Sequence, residues 1–234
     1  MSEQRMRLIG EQIFKTVKIA VVVLTGLLNA SGQAGDWPQW RGPQRTAISK
    51  EKGLLQQWPS QGPAKLWESE EVGGGYASLV VSQGLLFTIG QEGKEVLAVA
   101  LDATTGKLRW KQTIGNTSRT PCSTPTVDAN RLYALDPDGN LVCLQTDSGK
   151  VLWKRIFLEE FQGRMMSGRG YGESPLIDGD KLICSPGGPE HMMVALDKKS
   201  GKLIWKTRIP ELGMAGRDGM GFSSAQVTTA GGIR

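Results

Sequence analysis

An all-β chain of four-stranded antiparallel blades, about three to four of them arranged as a partial propeller, is the fold predicted by this 234-residue sequence. Three observations predict it. Thirty-one glycines accompany seven tryptophans, a pairing that favours many short strands joined by tight turns. Two landmarks recur at matching periods, and each repeat divides into four strand-like stretches. A period of 40–50 residues with four strands per period is how propeller blades are written in sequence.

The first landmark is ALDATTGKLRW, which ends at Trp110 and recurs as CLQTDSGKVLW at Trp153 and ALDKKSGKLIW at Trp205. A degenerate copy, GPAKLW, ends at Trp67. The second begins at Ser78, Thr124, Ser174 and Ser224. The repeats therefore cover about 78–113, 124–157 and 174–208, with another starting at 224. In each, a first strand of the form S/T-x-x-V leads through a turn to a hydrophobic second strand such as Lys181 to Cys184. The third strand carries the V/A-A-L-D stretch, as in Val194 to Asp197, and the fourth runs from Lys202 through Trp205.

The turn between the third and fourth strands has a physical basis. The carboxylates of Asp102 and Asp197 can accept bonds from backbone amides two or three residues on. Gly106, Gly149 and Gly201 supply the positive φ of a type I turn closed by a G1 bulge. Trp67, Trp110, Trp153 and Trp205 stand on outer strands, where a large flat side chain covers a neighbouring blade and buries much area at low entropy cost. These residues read as structural.

Lys15 and Lys18 precede an apolar stretch from Ile19 to Leu28, followed by small residues. This is the pattern of a secretory signal peptide over 1–34, with Gly32 and Ala34 at the peptidase positions and cleavage before Gly35. The run is too short to span a bilayer comfortably, so no membrane span is expected after cleavage, and the mature chain is expected in the periplasm or outside the cell. Residues 35–64 read as an N-terminal extension and 65–234 as the partial propeller. The formal charge of +5 falls to about +3 without the leader, and no basic run exists, so a nucleic-acid role has no electrostatic footprint. Cys122, Cys143 and Cys184 lack metal-type spacing and read as buried filler, with one disulfide possible in an oxidising compartment. His191 is the single histidine, which leaves a Ser-His-Asp hydrolase or a multi-histidine metal site without support; it reads as a surface residue.

Loops from a fourth strand to the next first strand, and between second and third strands, gather at one end of a propeller, where sites form. There the sequence places Arg119, Arg164, Arg169 and Arg217, with Tyr76, Tyr171 and Phe222 beside them. Clustered arginines and aromatics can bind a flat anion through bidentate bonds and stacking. The candidate cofactor-binding set is Arg119, Arg169, Tyr171, Glu173 and Arg217. Glu173, like Asp218, could also hold a cation or act as a base, or pair with a nearby arginine.

The motif L-D-x-x-[TS]-G-K-x-x-W resembles the tryptophan-docking repeat of the quinoprotein-like propellers, and WPQWRGPQRTAIS from Trp37 to Ser49, followed by GLLQQWP, is similar to the leader of PQQ-like exported bacterial proteins. The resemblance covers nearly everything from Asp36 to Arg234 and implies an eight-bladed propeller in a full-length member. This chain looks like the N-terminal half, with a missing half or protein partner to complete it. The catalytic members resemble one another in a vicinal cysteine pair, absent here, and their calcium ligands cannot be mapped onto this chain. In repeat type the sequence is also similar to the assembly-factor propeller of the outer-membrane β-barrel machinery, although no leader cysteine offers a lipid anchor. A non-catalytic binding or scaffold module is therefore expected, with a PQQ-dependent alcohol or sugar dehydrogenase using PQQ and calcium as the alternative.

Overall fold

The computed structural model describes residues 35–208, 219–229 and 231–232, and the contacts below lie within the unit Asp36–Arg234. The signal-peptide reading of 1–34 and the candidates Arg217 and Asp218 fall outside the described residues.

Three four-stranded antiparallel sheets follow one another along the chain. The first blade comprises β1 (Val80–Ser82), β2 (Leu85–Glu92), β3 (Glu95–Asp102) and β4 (Leu108–Asn116). The second comprises β5 (Thr126–Asp128), β6 (Arg131–Leu135), β7 (Asn140–Gln145) and β8 (Val151–Ile156). The third comprises β9 (Leu176–Asp178), β10 (Lys181–Cys184), β11 (Val194–Asp197) and β12 (Leu203–Lys206). In each sheet the strands pair in sequence order, as a meander of short turns requires. A single helical turn, α1 (Phe157–Glu160), follows β8.

The two middle strands of each blade are buried on both faces, so successive residues serve different neighbours. Val96, Ala98 and Ala100 of β3, with Phe87, Ile89 and Trp110, pack against Val127, Leu132, Ala134, Val142 and Leu144 of the second blade. The opposite face of that blade offers Tyr133, Leu135, Leu141 and Cys143 to Leu182, Cys184, Val194 and Leu196 of the third. The second sheet is thus sealed between two cores. The outer faces of the array are Leu86, Leu97, Val99 and Leu101 on the first blade and Leu176, Ile183 and Ala195 on the third.

The tryptophans join one blade to the next. The indole N–H of Trp67 donates to Ala103 O at 3.2 Å, that of Trp110 to Thr146 O at 2.8 Å, and that of Trp153 to Lys198 O at 3.3 Å. Each acceptor belongs to the third-to-fourth-strand turn of the following blade, and each ring lies over that turn's glycine. A Cβ built on Gly106, Gly149 or Gly201 would come within 2.4, 2.7 and 2.9 Å of Trp67, Trp110 and Trp153. These glycines also hold φ near +70°, so both conformation and clearance demand glycine. The register of the third and fourth strands shifts at the same place in all three blades: Ala100/Leu101, Cys143/Leu144 and Ala195/Leu196. Asp102 Oδ1 accepts from the amides of Thr104 and Thr105, and Asp197 Oδ1 from that of Ser200. The second blade has Gln145 at this position.

Two stretches expected as strands are not strands. The segment around Trp67 and the segment from Ser224 pair with no strand among the described residues. An outer strand needs a third strand beside it, and an inner strand a second; neither segment has that neighbour among the described residues. Both nevertheless attach to adjacent blades, Trp67 through its ring and Ser224 through its hydroxyl.

That hydroxyl is one of a series. Ser78 N donates to Thr124 Oγ1 at 3.2 Å, Thr124 N to Ser174 Oγ at 3.1 Å, and Ser174 N to Ser224 Oγ at 2.8 Å. The residue that opens each first strand is thus bonded to its counterpart in the next repeat, and the first strands lie side by side.

Candidate functional site

At the loop end of the blades, the structure separates the candidates that the sequence groups together. Arg119 is half-exposed and ion-paired with Asp138 in the β6–β7 turn, and its Nε donates to Gly168 O at 2.9 Å. Its guanidinium therefore fastens the loop before β5 to the loop before β9. Tyr171 turns inward and is 1% exposed. Its ring packs edge-on against Phe157 at 5.3 Å, closes over Gly139 and Gly163, and donates from its hydroxyl to Pro186 O at 2.8 Å. Burial pushes that phenol above its ordinary range. Arg169 is exposed; burial raises the Cys122 thiol, and the charge of Arg169 opposes part of that rise. Arg164 is exposed; its carbonyl accepts from the Met220 amide at 2.8 Å, and its own amide donates to Pro186 O at 3.0 Å. Tyr76 and Phe222 are exposed, and Phe222 lies over Gly172.

Glu173 is enclosed. It is 1% exposed and accepts from the amide of Ser185. Burial raises its carboxyl to about 7, with the Ser185 bonds and the charge of Arg45 pulling the other way. The arginine paired electrostatically with it is thus Arg45, from the N-terminal extension. Of the candidate set, Arg119 is held by Asp138, Tyr171 is enclosed by Phe157 and Glu173 is sealed beneath the surface, while Arg169 is exposed and Arg217 lies outside the described residues. Among the described residues no group of three or more His, Cys, Asp or Glu is placed to hold a metal ion. The three cysteines are unbridged; Cys143 and Cys184 are core residues and Cys122 is half-buried. His191 is half-buried rather than on the surface. It packs on Phe161 at 5.3 Å, with Nδ1 buried and without a partner, and burial lowers its pKa.

The most densely bonded feature is one that periodicity does not reach. Residues 36–47 form a strap across the free edges of the first strands. Trp37 and Val81 exchange backbone bonds of 2.8 and 3.0 Å, and Val127 N donates to Pro38 O at 2.7 Å. The Asp36 carboxylate accepts from Ser82 Oγ at 2.8 Å and from Gln83 N at 3.1 Å. At the third blade Arg45, 6% exposed, spends every nitrogen. Nη1 donates to Ala225 O at 2.6 Å, Nη2 to Ser174 O at 3.0 Å and Pro175 O at 2.6 Å, and Nε to Gln39 Oε1 at 3.0 Å. Burial lowers this guanidinium to about 10, and Glu173 opposes the shift. Gly42 makes the strap's tight turn possible, since its φ is +82° and a Cβ would meet the Trp37 ring at 2.8 Å. Trp40 lies beneath the guanidinia of Arg41 and Arg45, at 5.2 and 6.0 Å, a cation–π arrangement.

Comparison with known proteins places these features. A family model described as "Outer membrane protein assembly factor BamB" matches residues 51–215. The curated outer membrane protein assembly factor BamB of Yersinia pestis is 30% identical over 76 residues, covering 32% of this chain and 17% of that protein. Among solved structures, BamB from Moraxella catarrhalis superposes with a TM-score of 0.46 at 19% identity, over 65% of this chain and 41% of that one. The quinohemoprotein alcohol dehydrogenase from Comamonas testosteroni superposes with a TM-score of 0.54 at 20% identity, over 76% and 28%. The chain spans less than half the length of each of these relatives, and the Comamonas testosteroni structure shares its fold. With a match across most of its length and the tryptophan-docked blades that the repeat specifies, the chain belongs to the PQQ-like repeat family described as outer membrane protein assembly factor BamB.

Proposed function

We propose that this chain is an exported, non-catalytic binding module whose partners are proteins. One observation carries the reading. The free edges of the first strands, where a propeller's axis lies, are occupied by the chain's own strap, and the loop-end candidates are engaged in holding loops together. Arg119, Tyr171 and Glu173 act on Asp138, Pro186 and Ser185. The name of the family, an assembly factor, supports a role exercised on other proteins.

The competing outcome is a PQQ-dependent dehydrogenase of alcohols or sugars, for which Arg119, Arg169, Tyr171, Glu173 and Arg217 would be the cofactor set. The test is a titration of the mature chain with PQQ, with and without calcium, read by tryptophan fluorescence and by dye-linked alcohol oxidation. Folded protein without saturable quenching or turnover is the expected result. Calcium-dependent quenching with turnover would replace the binding reading by the enzymatic one.

A further inference from the structure

The strap is seated as a peptide ligand is seated. Its backbone extends β1 by one antiparallel bridge, Trp37 against Val81, and reaches β5 through Pro38, which is the pattern of strand addition to an exposed sheet edge. Side chains then fix its direction. An acidic residue is read at one end by Ser82 and Gln83. A guanidinium is read at the other by three backbone carbonyls, those of Ser174, Pro175 and Ala225, with the buried Glu173 supplying negative charge nearby. Carbonyls aimed at one point and a sealed carboxylate form a socket suited to a cation with several planar donors, which describes arginine and not lysine. Beyond the strap, residues 48–60 are exposed throughout, so a solvent-exposed segment joins the strap to the rest of the chain.

We propose that the free edge of the first strands is a recognition surface for an extended peptide carrying an acidic residue, a Trp-Pro pair and an arginine nine residues after the acid, and that Asp36–Ala47 is its resident occupant, exchangeable with a partner's segment of the same pattern. This rests on the binding reading for the existence of a partner, but the surface is tested without one.

The experiment starts from the folded mature chain with a protease site introduced between Lys50 and Gly53. After cleavage, gel filtration asks whether the strap stays with the blades, and a fluorescein-labelled peptide of residues 35–49 is titrated in by anisotropy, alongside the same peptide carrying R45A and one carrying R45K. The expected result is retention of the strap, saturable exchange at micromolar peptide, and at least tenfold weaker binding by both variants. Equal binding by the three peptides would overturn the proposal, as would failure of any peptide to exchange into blades that remain folded by circular dichroism. Loss of the blade fold on release of the strap would overturn it too, by making the strap part of the core. A positive PQQ titration would remove the scaffold reading and leave the peptide result intact, so the two failures are distinguishable.

Discussion

Glu173 makes the stability of this protein depend on pH in a way that one substitution isolates. Its carboxyl ordinarily titrates near 4.5 and is raised to about 7 in the fold by burial. A raised folded pKa means that the folded chain binds the proton more tightly than the unfolded chain. Stability therefore falls as pH rises from about 4.5 to about 7 and is level above that. Moving between those values corresponds to about 3 kcal/mol. In Glu173→Gln the side chain keeps an oxygen for the Ser185 amide and loses the ionisation. The difference in unfolding free energy between variant and wild type should accordingly grow by about 2.5 kcal/mol in the variant's favour between pH 5 and pH 8. For a chain of this size that is about 5–10 °C in Tm. His191 and Asp136 also titrate differently in the fold, but they are present in both proteins and cancel in the difference. Urea unfolding followed by tryptophan fluorescence at pH 5, 6, 7 and 8 measures it. Removing the Arg45 charge should enlarge the effect and extend it to higher pH, because Arg45 lowers the Glu173 pKa. A difference that is the same at every pH would refute the reasoning, since it would mean that Glu173 is not held in a desolvated site.

Other perturbations test other links. Trp110→Ala removes a buried ring and its bond to Thr146 O and should cost about 3–5 kcal/mol by denaturant unfolding, more than Trp205→Ala, whose ring has no described turn to dock on. Gly149→Ala forces a Cβ to within 2.7 Å of Trp110 at φ +70° and should lower Tm by several degrees, with the Trp110 emission maximum shifting red. Gln145→Asp would give the second blade the turn carboxylate that Asp102 and Asp197 supply to the others, beside Arg131 on the paired strand, and should raise Tm by about 1–4 °C. The carboxyls of Asp102 and Asp197 are held below 3.8 by their turn hydrogen bonds. Their contribution is present above that pH and lost as pH falls through it, so Asp102→Asn should flatten the acid limb of the stability curve below pH 4.

The blades were legible because their physics repeats. Each first strand opens on a hydroxyl residue, each third strand runs buried into a Gly-closed turn, and each tryptophan stands four residues beyond that glycine, so one repeat predicts the next. The loop end was legible only in composition. Sequence places Arg119 and Tyr171 near each other but cannot say that Arg119 finds Asp138, or that Tyr171 rotates inward to sit over Gly139. The missing strands at Trp67 and Ser224 follow from the same limit, since a strand pattern is read along the chain and a strand forms only against a neighbour. Arg45 was missed altogether. Its partners lie 129–180 residues away, and a segment that occurs once carries no period. The available signal was the crowding of Trp37, Pro38, Trp40 and Gly42 into six residues, a composition too rigid and aromatic for a linker.

The hydroxyl series gives the molecule a direction of unravelling. Because each first strand lends its amide to the hydroxyl of the following repeat, the third blade depends on the Ser224 segment, which pairs with no strand among the described residues, whereas the first two lean on four-stranded blades. Blade stability in such an array is set by its neighbours, so opening should begin at Ser224, pass to the third blade, and travel toward the first as a front. Amide exchange would record it as a gradient of protection rising from β12 back to β3. Under mechanical load the chain would yield as a ratchet of blade-sized steps, with the Arg45 bonds to Ser174, Pro175 and Ala225 as the pawl that must release first.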